Sequence, residues 1–194
     1  MGLKSLLDRR PIVVALAGPN GAGKSTFFDA YLARTGLYFV NADELALSLT
    51  MNPYSAANLA DTLRRQLVEQ RKSFVFETVL SDPVGNKLDF LKDTESAGYT
   101  VVLVFIGIAG PEISDDRVAM RVSQGGHDVP RKKLVERFPR IMNNLKRAMA
   151  ELSNVWVYDH SELDQGYRLV ATRENGQEIK LHKPTPEWLR ALLP

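Results

Sequence analysis

Nine consecutive residues, Gly18-Pro19-Asn20-Gly21-Ala22-Gly23-Lys24-Ser25-Thr26, fill the pattern G-x-x-x-x-G-K-[ST] and constrain this chain more than any other feature. The run Ile12 to Ala17 before them is apolar and short, as a buried strand requires, and Phe27 to Leu32 after them can continue as a helix. A glycine loop in that setting curls so that successive N–H groups converge on phosphate oxygens, while the start of the helix adds its partial positive charge. All nine residues are therefore predicted to cradle a nucleoside triphosphate, ATP, with Lys24 on the β- and γ-phosphates and the Ser25 hydroxyl in the shell of a Mg²⁺ ion. The competing explanation is an ordinary glycine turn, and the flanking strand and helix weigh against it.

Along its length the chain alternates short apolar runs with longer amphipathic ones. Leu37–Val40, Phe74–Phe76, Thr100–Ile108 and Asn154–Tyr158 read as further strands. Helices are expected over Ser55–Arg71, capped by Ser55 after a break at Pro53, then over Pro83–Ala97, from Pro111 onward, and over Leu134–Leu152 with Pro139 inside. The tail places two alternating runs around Asn175-Gly176, a hairpin signal that would cover a sheet edge, and ends in a helical turn. The fold class predicted is α/β, a P-loop NTPase or kinase fold with a central parallel sheet and helices on both faces. We expect one domain over residues 1–194, with a helical lid over about 112–147 and a C-terminal β-hairpin over about 166–183.

A phosphate loop leaves the reaction open, and the neighbouring strand ends decide it, because ligands of a parallel sheet sit beyond the carboxyl ends of its strands. Asp43 follows the second predicted strand and Glu77 ends the third. Asp43 in that position suits a general base that takes the proton from an acceptor hydroxyl; its alternative task is to cap a helix. Glu77 suits a contact to a substrate hydroxyl or a Mg²⁺-bound water, with Thr78 beside it. Arg117 and Arg121 lie four apart, and Arg137 and Arg140 three apart, on two basic segments joined by Ser123 to Pro130 with its two glycines. Such an arm reads as a lid that closes over ATP, with Arg121 and Arg137 inward on the transferring phosphoryl group and His127 as a lid or substrate contact.

These blocks together resemble the zeta-toxin family of P-loop kinases: the loop Gly18–Thr26, Phe39 to Glu44, Phe76 to Ser81, and Arg121 through Gly125-Gly126-His127-Asp128-Val129-Pro130 to Arg137. The Gly-Gly-His-x-Val-Pro form is similar to a compact branch of that family. The resemblance implies phosphoryl transfer from ATP·Mg²⁺ to the 3′-hydroxyl of UDP-N-acetylglucosamine, and a small antitoxin protein as partner. It also implies Asp43 as base, Glu77 and Thr78 toward the sugar nucleotide, and Arg121 and Arg137 on the phosphates.

Two other classes compete. The phosphate loop and Ser123-Gln124-Gly125-Gly126 resemble the nucleotide domains of ABC transporters, which would make the chain a regulatory ATPase; such a domain needs Asp-Glu after an apolar strand, and here Asp159 is followed by His160. A kinase of nucleic-acid ends would interleave aromatics with its basic groove, which the arginine-rich region does not do. The near balance of 25 Lys and Arg against 23 Asp and Glu argues likewise for a small-molecule substrate rather than nucleic acid. No cysteine is present, and no second histidine stands near His127 at ligand spacing, which argues against a zinc site. Met1 to Arg10 lacks a signal-peptide core and no apolar run is long enough for a bilayer, so a cytoplasmic protein without membrane contact is expected.

Overall fold

The six residues of β1 (Ile12–Ala17) are all apolar and wholly buried, which requires strands on both edges and helices on both faces. The computed structural model, which describes residues 2–123 and 128–193, meets that requirement. A short α1 (Leu3–Leu7) precedes β1, and α2 (Lys24–Phe27) follows the loop, running on through a π-helical turn over Phe28–Leu32. Next come β2 (Tyr38–Val40), α3 (Ala42–Ser48), α4 (Pro53–Glu69), β3 (Phe74–Thr78), α5 (Asn86–Ser96) and β4 (Thr100–Gly107). Helices α6 (Pro111–Ser123) and α7 (Arg131–Glu151), strands β5 (Val155–Asp159), β6 (Arg168–Arg173) and β7 (Lys180–Leu181), and the short α8 (Glu187–Arg190) complete the chain.

The sheet has seven strands in the order β2-β3-β1-β4-β5-β6-β7, the first five parallel and the last two antiparallel. In β1, Val13, Ala15 and Ala17 face α4, α5 and α7, where Ala60, Leu91 and Leu145 are buried against them. Ile12, Val14 and Leu16 face the opposite side, under Leu6 and Leu7 of α1 and Phe27 and Leu32 after the loop. Each buried Val, Leu, Ile or Phe side chain among these contributes about 1.5–3 kcal/mol by leaving water. Because α2 covers one face and α5 the other, the connections leaving the adjacent strands β1 and β3 part in opposite directions. A crevice opens between their carboxyl ends, and ligands of such sheets bind there.

Element boundaries shift from the sequence expectation where local chemistry intervenes. Helix α4 starts at Pro53 rather than Ser55: Asn52 Oδ1 accepts from the Ser55 N–H at 2.9 Å, and proline is suited to the first helical position, where its missing N–H needs no partner. Gly85 has φ +85°, outside the right-handed helix, so α5 begins after it and not at Pro83. Helix α7 passes through Pro139 and forgoes one backbone hydrogen bond there. In the tail, Asn175 (φ 50°) and Gly176 (φ 72°) form the turn that the Asn-Gly pair predicted, and the hairpin extends the sheet beyond β5.

Candidate active site

The chain leaves β1 at Gly18 with φ +147°, and a Cβ there would run into the Ile106 carbonyl oxygen of β4. Gly23 is equally constrained, at φ +91° with the Tyr167 hydroxyl 2.7 Å and the His160 ring 2.9 Å from where a methyl group would sit. The loop between them is held by its carbonyls. Ser114 Oγ donates to the Asn20 carbonyl at 2.5 Å, His160 Nδ1–H to Ala22 at 2.7 Å, and the Tyr167 hydroxyl to Gly23 at 2.6 Å. In a trans peptide the N–H points opposite to the preceding carbonyl, so the N–H groups of Gly21, Gly23 and Lys24 turn to the other side. That side is a cleft of about 700 Å³ lined by Gly21, Gly23, Lys24, Ser25 and Thr26 among others.

Lys24 and Ser25 open α2 and face Glu77 across the crevice. The buried Lys24 Nζ donates to the Gly18 and Pro19 carbonyls at 3.0 and 2.9 Å and stands 3.5 Å from Glu77 Oε1. The other carboxylate oxygen of Glu77 accepts from Ser25 Oγ at 3.2 Å and from Asn41 Nδ2 at 3.3 Å. Thus the ends of β1, β2 and β3 meet on one carboxylate. Ser25 and Glu77 offer a pair of hard oxygen ligands beside the loop, a donor set that fits Mg²⁺, which takes one or two protein oxygens and completes its shell with phosphate and water. Among the described residues no cluster of three or more His, Cys, Asp or Glu could hold a metal alone.

Asp43 lies in the first turn of α3, exposed, on the wall of the same cleft as Lys24 and Glu77. The cap of α3 is Asn41, whose Oδ1 accepts from the Asp43 N–H at 2.9 Å, so the Asp43 carboxylate is not engaged in capping. Its neighbour Glu44 is raised above the ordinary carboxylate range by partial burial and then by the charges of Glu77, Asp29 and Asp43. That rim is acidic, and cations opposite it are favoured.

The cations come from α6 and α7. Arg121 and Arg137 both line the cleft, as does Arg117, one turn before Arg121. Arg117 is fastened behind the loop, donating to the carbonyls of His160 (2.9 Å), Ser161 (2.8 Å) and Gly21 (3.4 Å), and burial lowers its pKa. An Asp115–Arg131 pair at 3.4 Å ties the two helices together. Among the other predicted residues, Thr78 accepts from the Leu80 N–H at 3.2 Å and lines two recesses next to the main cleft instead of the cleft itself. His127 lies outside the described residues.

The clamp of Ser114, Arg117, His160 and Tyr167 on the loop is what sequence reasoning missed. Arg117 was marked only as part of the basic arm, and His160 by following β5 at the same carboxyl end of the sheet as the loop. Its ring stacks on Tyr167 with centroids 4.1 Å apart. Asp159 beside it accepts from Arg168, Ser161 and the Trp188 indole at 2.7, 2.6 and 2.9 Å, and these bonds hold its pKa low against the opposing effect of burial.

The fold is that of the P-loop kinases, with the phosphate loop leaving the carboxyl end of β1. Residues 43–176 match the zeta toxin family, and the chain belongs to it. The phosphate loop precedes that match and stands on its own geometry. Among solved structures, the chain is similar to AvrRxo1-ORF1:AvrRxo1-ORF2 with sulphate ions (21% identity, TM-score 0.74, 97% of this chain and 66% of that chain). It is similar also to AvrRxo1-ORF1:-ORF2 with ATP (22%, TM-score 0.71, 92% and 63%). A third likeness is to the PezAT chromosomal toxin–antitoxin system of Streptococcus pneumoniae (18%, TM-score 0.61, 81% and 71%). At these identities the likeness is one of fold, and the chain spans just under two thirds of the length of the AvrRxo1 structures. No curated protein matches the sequence significantly.

Proposed function

We propose that the protein transfers the γ-phosphoryl group of ATP to a hydroxyl of a sugar nucleotide, UDP-N-acetylglucosamine being the first candidate. The observation that carries this reading is the exposed Asp43 carboxylate, left out of the helix cap and placed on one cleft with Lys24. Asp43 accepts the proton of the acceptor hydroxyl as its oxygen attacks the γ-phosphorus and the bond to the β-phosphate oxygen breaks, leaving ADP. Lys24 exchanges its two loop carbonyls for phosphate oxygens, and Arg121 and Arg137 hold the charge spread over the equatorial oxygens. Ser25 and Glu77 hold the Mg²⁺ ion, which when bound neutralises the phosphate charge. Helices α6 and α7 act as a lid on a single domain of 194 residues.

Membership of the zeta toxin family and the likeness to PezAT support a small antitoxin as partner. No helix among the described residues is long and apolar enough to cross a membrane. The reading is tested by incubating the protein with γ-labelled ATP and a panel of sugar nucleotides, nucleosides and 5′-hydroxyl oligonucleotides. Label is expected in the sugar nucleotide with wild-type protein and not with Asp43→Asn. Label found only as free phosphate would favour a regulatory ATPase, and label on the oligonucleotide a nucleic-acid-end kinase.

A further inference from the structure

Asp43 sits on an element that cannot place it alone. Helix α3 has seven residues and none of them is buried, and a helix so short keeps its shape only through contacts outside itself. Ala42 and Leu45 are half-buried against the core, while Asp43, Glu44, Leu47 and Ser48 are exposed. What fixes the first turn is therefore its entry, and the entry is the buried Asn41.

Sheet register brings Asn41 to Glu77. Val40 of β2 pairs with Phe76 of β3, so the next residues of the two strands emerge side by side. Asn41 uses both ends of its amide there: Oδ1 accepts from the Asp43 N–H at 2.9 Å, and Nδ2 donates to Glu77 Oε2 at 3.3 Å. The N–H demands the amide oxygen on its side, which leaves the NH₂ group facing an acceptor-only carboxylate. Glu77 is itself held from the phosphate loop, by Ser25 Oγ at 3.2 Å and by Lys24 Nζ at 3.5 Å. One amide thus joins the turn that carries Asp43 to the carboxylate on the phosphate side of the cleft.

Capping alone does not ask for asparagine, since aspartate and serine cap about as well. Aspartate, however, has no donor and would set a like charge against Glu77, and one short hydroxyl does not span both partners. Among the side chains that cap helices well, asparagine is the one that also makes the tie.

Building on the reading of Asp43 as the base, we propose that Asn41 is a positioning residue for phosphoryl transfer. By tying the first turn of α3 to Glu77, it sets the Asp43 carboxylate against the phosphates gripped by Lys24. It acts through these two residues and takes no proton itself.

Two sets of variants test this. The first is a double-mutant cycle on melting temperature, run without nucleotide or acceptor, which reads the tie itself. Asn41→Asp keeps the cap but opposes Glu77 with a like charge, and the melting temperature should fall by about 2–4 °C, the shift that losing one such bond gives in a domain of this size. In the Glu77→Gln background the same change should cost little, because the glutamine NH₂ donates to the introduced carboxylate and remakes the tie with its polarity reversed. The second set reads the consequence for transfer. Asn41→Ser keeps the cap and removes the tie, while Glu77 retains Ser25 and Lys24. Calorimetric affinity for the β,γ-imido analogue of ATP with Mg²⁺ and KM for ATP should therefore hold. The kcat for transfer to UDP-N-acetylglucosamine should fall by about 10–100-fold, the scale set by misplacing a reacting group by an ångström or less. A residue that only stabilised the fold would lower the melting temperature and leave the rate of the folded protein unchanged. Additive shifts in the cycle, or a wild-type kcat in Asn41→Ser, would overturn the proposal. Wild-type protein that transfers label to no acceptor would overturn the base reading instead, while the cycle still decides whether the tie exists, so the two fail separately.

Discussion

The Ser25 hydroxyl donates to Glu77 Oε2 at 3.2 Å, joining the helix end of the phosphate loop to the end of β3. With Lys24 Nζ 3.5 Å from the other oxygen, Glu77 stands on the phosphate side of the cleft, and a role in the Mg²⁺ shell follows more directly than one toward the sugar. Glu77→Gln keeps the size and an acceptor oxygen for Ser25 but removes the charge. The concentration of Mg²⁺ at half-maximal transfer should rise by about 10–100-fold, the range for altered metal-site partners. Steady-state transfer rates across a Mg²⁺ series check this, and an unchanged Mg²⁺ dependence would take Glu77 out of the shell.

Asp43→Asn separates the base from the cap. Because Asn41 caps α3, the melting temperature should not move, and because Asp43 is exposed on the cleft wall, affinity for the ATP analogue should hold. Transfer should fall by about 10²–10⁴-fold, the usual contribution of a positioned base. Single-turnover rates with labelled ATP measure it. Substantial residual transfer would assign proton removal elsewhere.

How much of this was legible in the sequence depends on how local the signal is. The strand, glycine loop and helix of residues 12–32 are written in neighbouring residues and were read correctly, as were Asp43 and Glu77 at strand ends and the Asn175-Gly176 turn. The helix starts at Pro53 and Asn86 were misplaced because Asn52 caps α4 with its side-chain oxygen and Gly85 stands outside the helix at φ +85°, neither of which a propensity reading weighs. His160 and Tyr167 were missed as site residues because they reach Ala22 and Gly23 across 138 and 144 positions of chain, a proximity that exists only once β5 and β6 are in the sheet.

Tyr167→Phe tests whether that distant clamp shapes the loop. The ring can keep its stack on His160, but the Gly23 carbonyl loses its 2.6 Å donor. A stability loss of about 1 kcal/mol is expected, the net worth of such a bond. Nucleotide affinity should fall severalfold with it, since the N–H of Lys24 belongs to the same peptide as that carbonyl. Gly23→Ala, with nowhere to put its methyl group, should abolish nucleotide binding. Calorimetric titration with the ATP analogue distinguishes the two, and normal binding by Gly23→Ala would refute the loop geometry.

His160 predicts a pH dependence. Burial, helped by Arg117, lowers its pKa below the ordinary 6.5, against the Ala22 bond and the Asp159 charge, so the folded protein holds the ring neutral. The unfolded chain protonates it near pH ~6.5. Between the folded value and that one the unfolded state carries more protons, so stability rises with pH through the window and is lost as pH falls through it. Asp159 contributes lower down: its pKa is held below 3.8, and its stabilisation disappears only as pH falls through that region. His160→Asn offers an amide N–H to Ala22 without a titrating ring. Its melting temperature should therefore change less between pH 7 and about pH 5 than that of the wild type. Thermal melts across that range decide it, and parallel curves for the two proteins would assign the dependence to other groups.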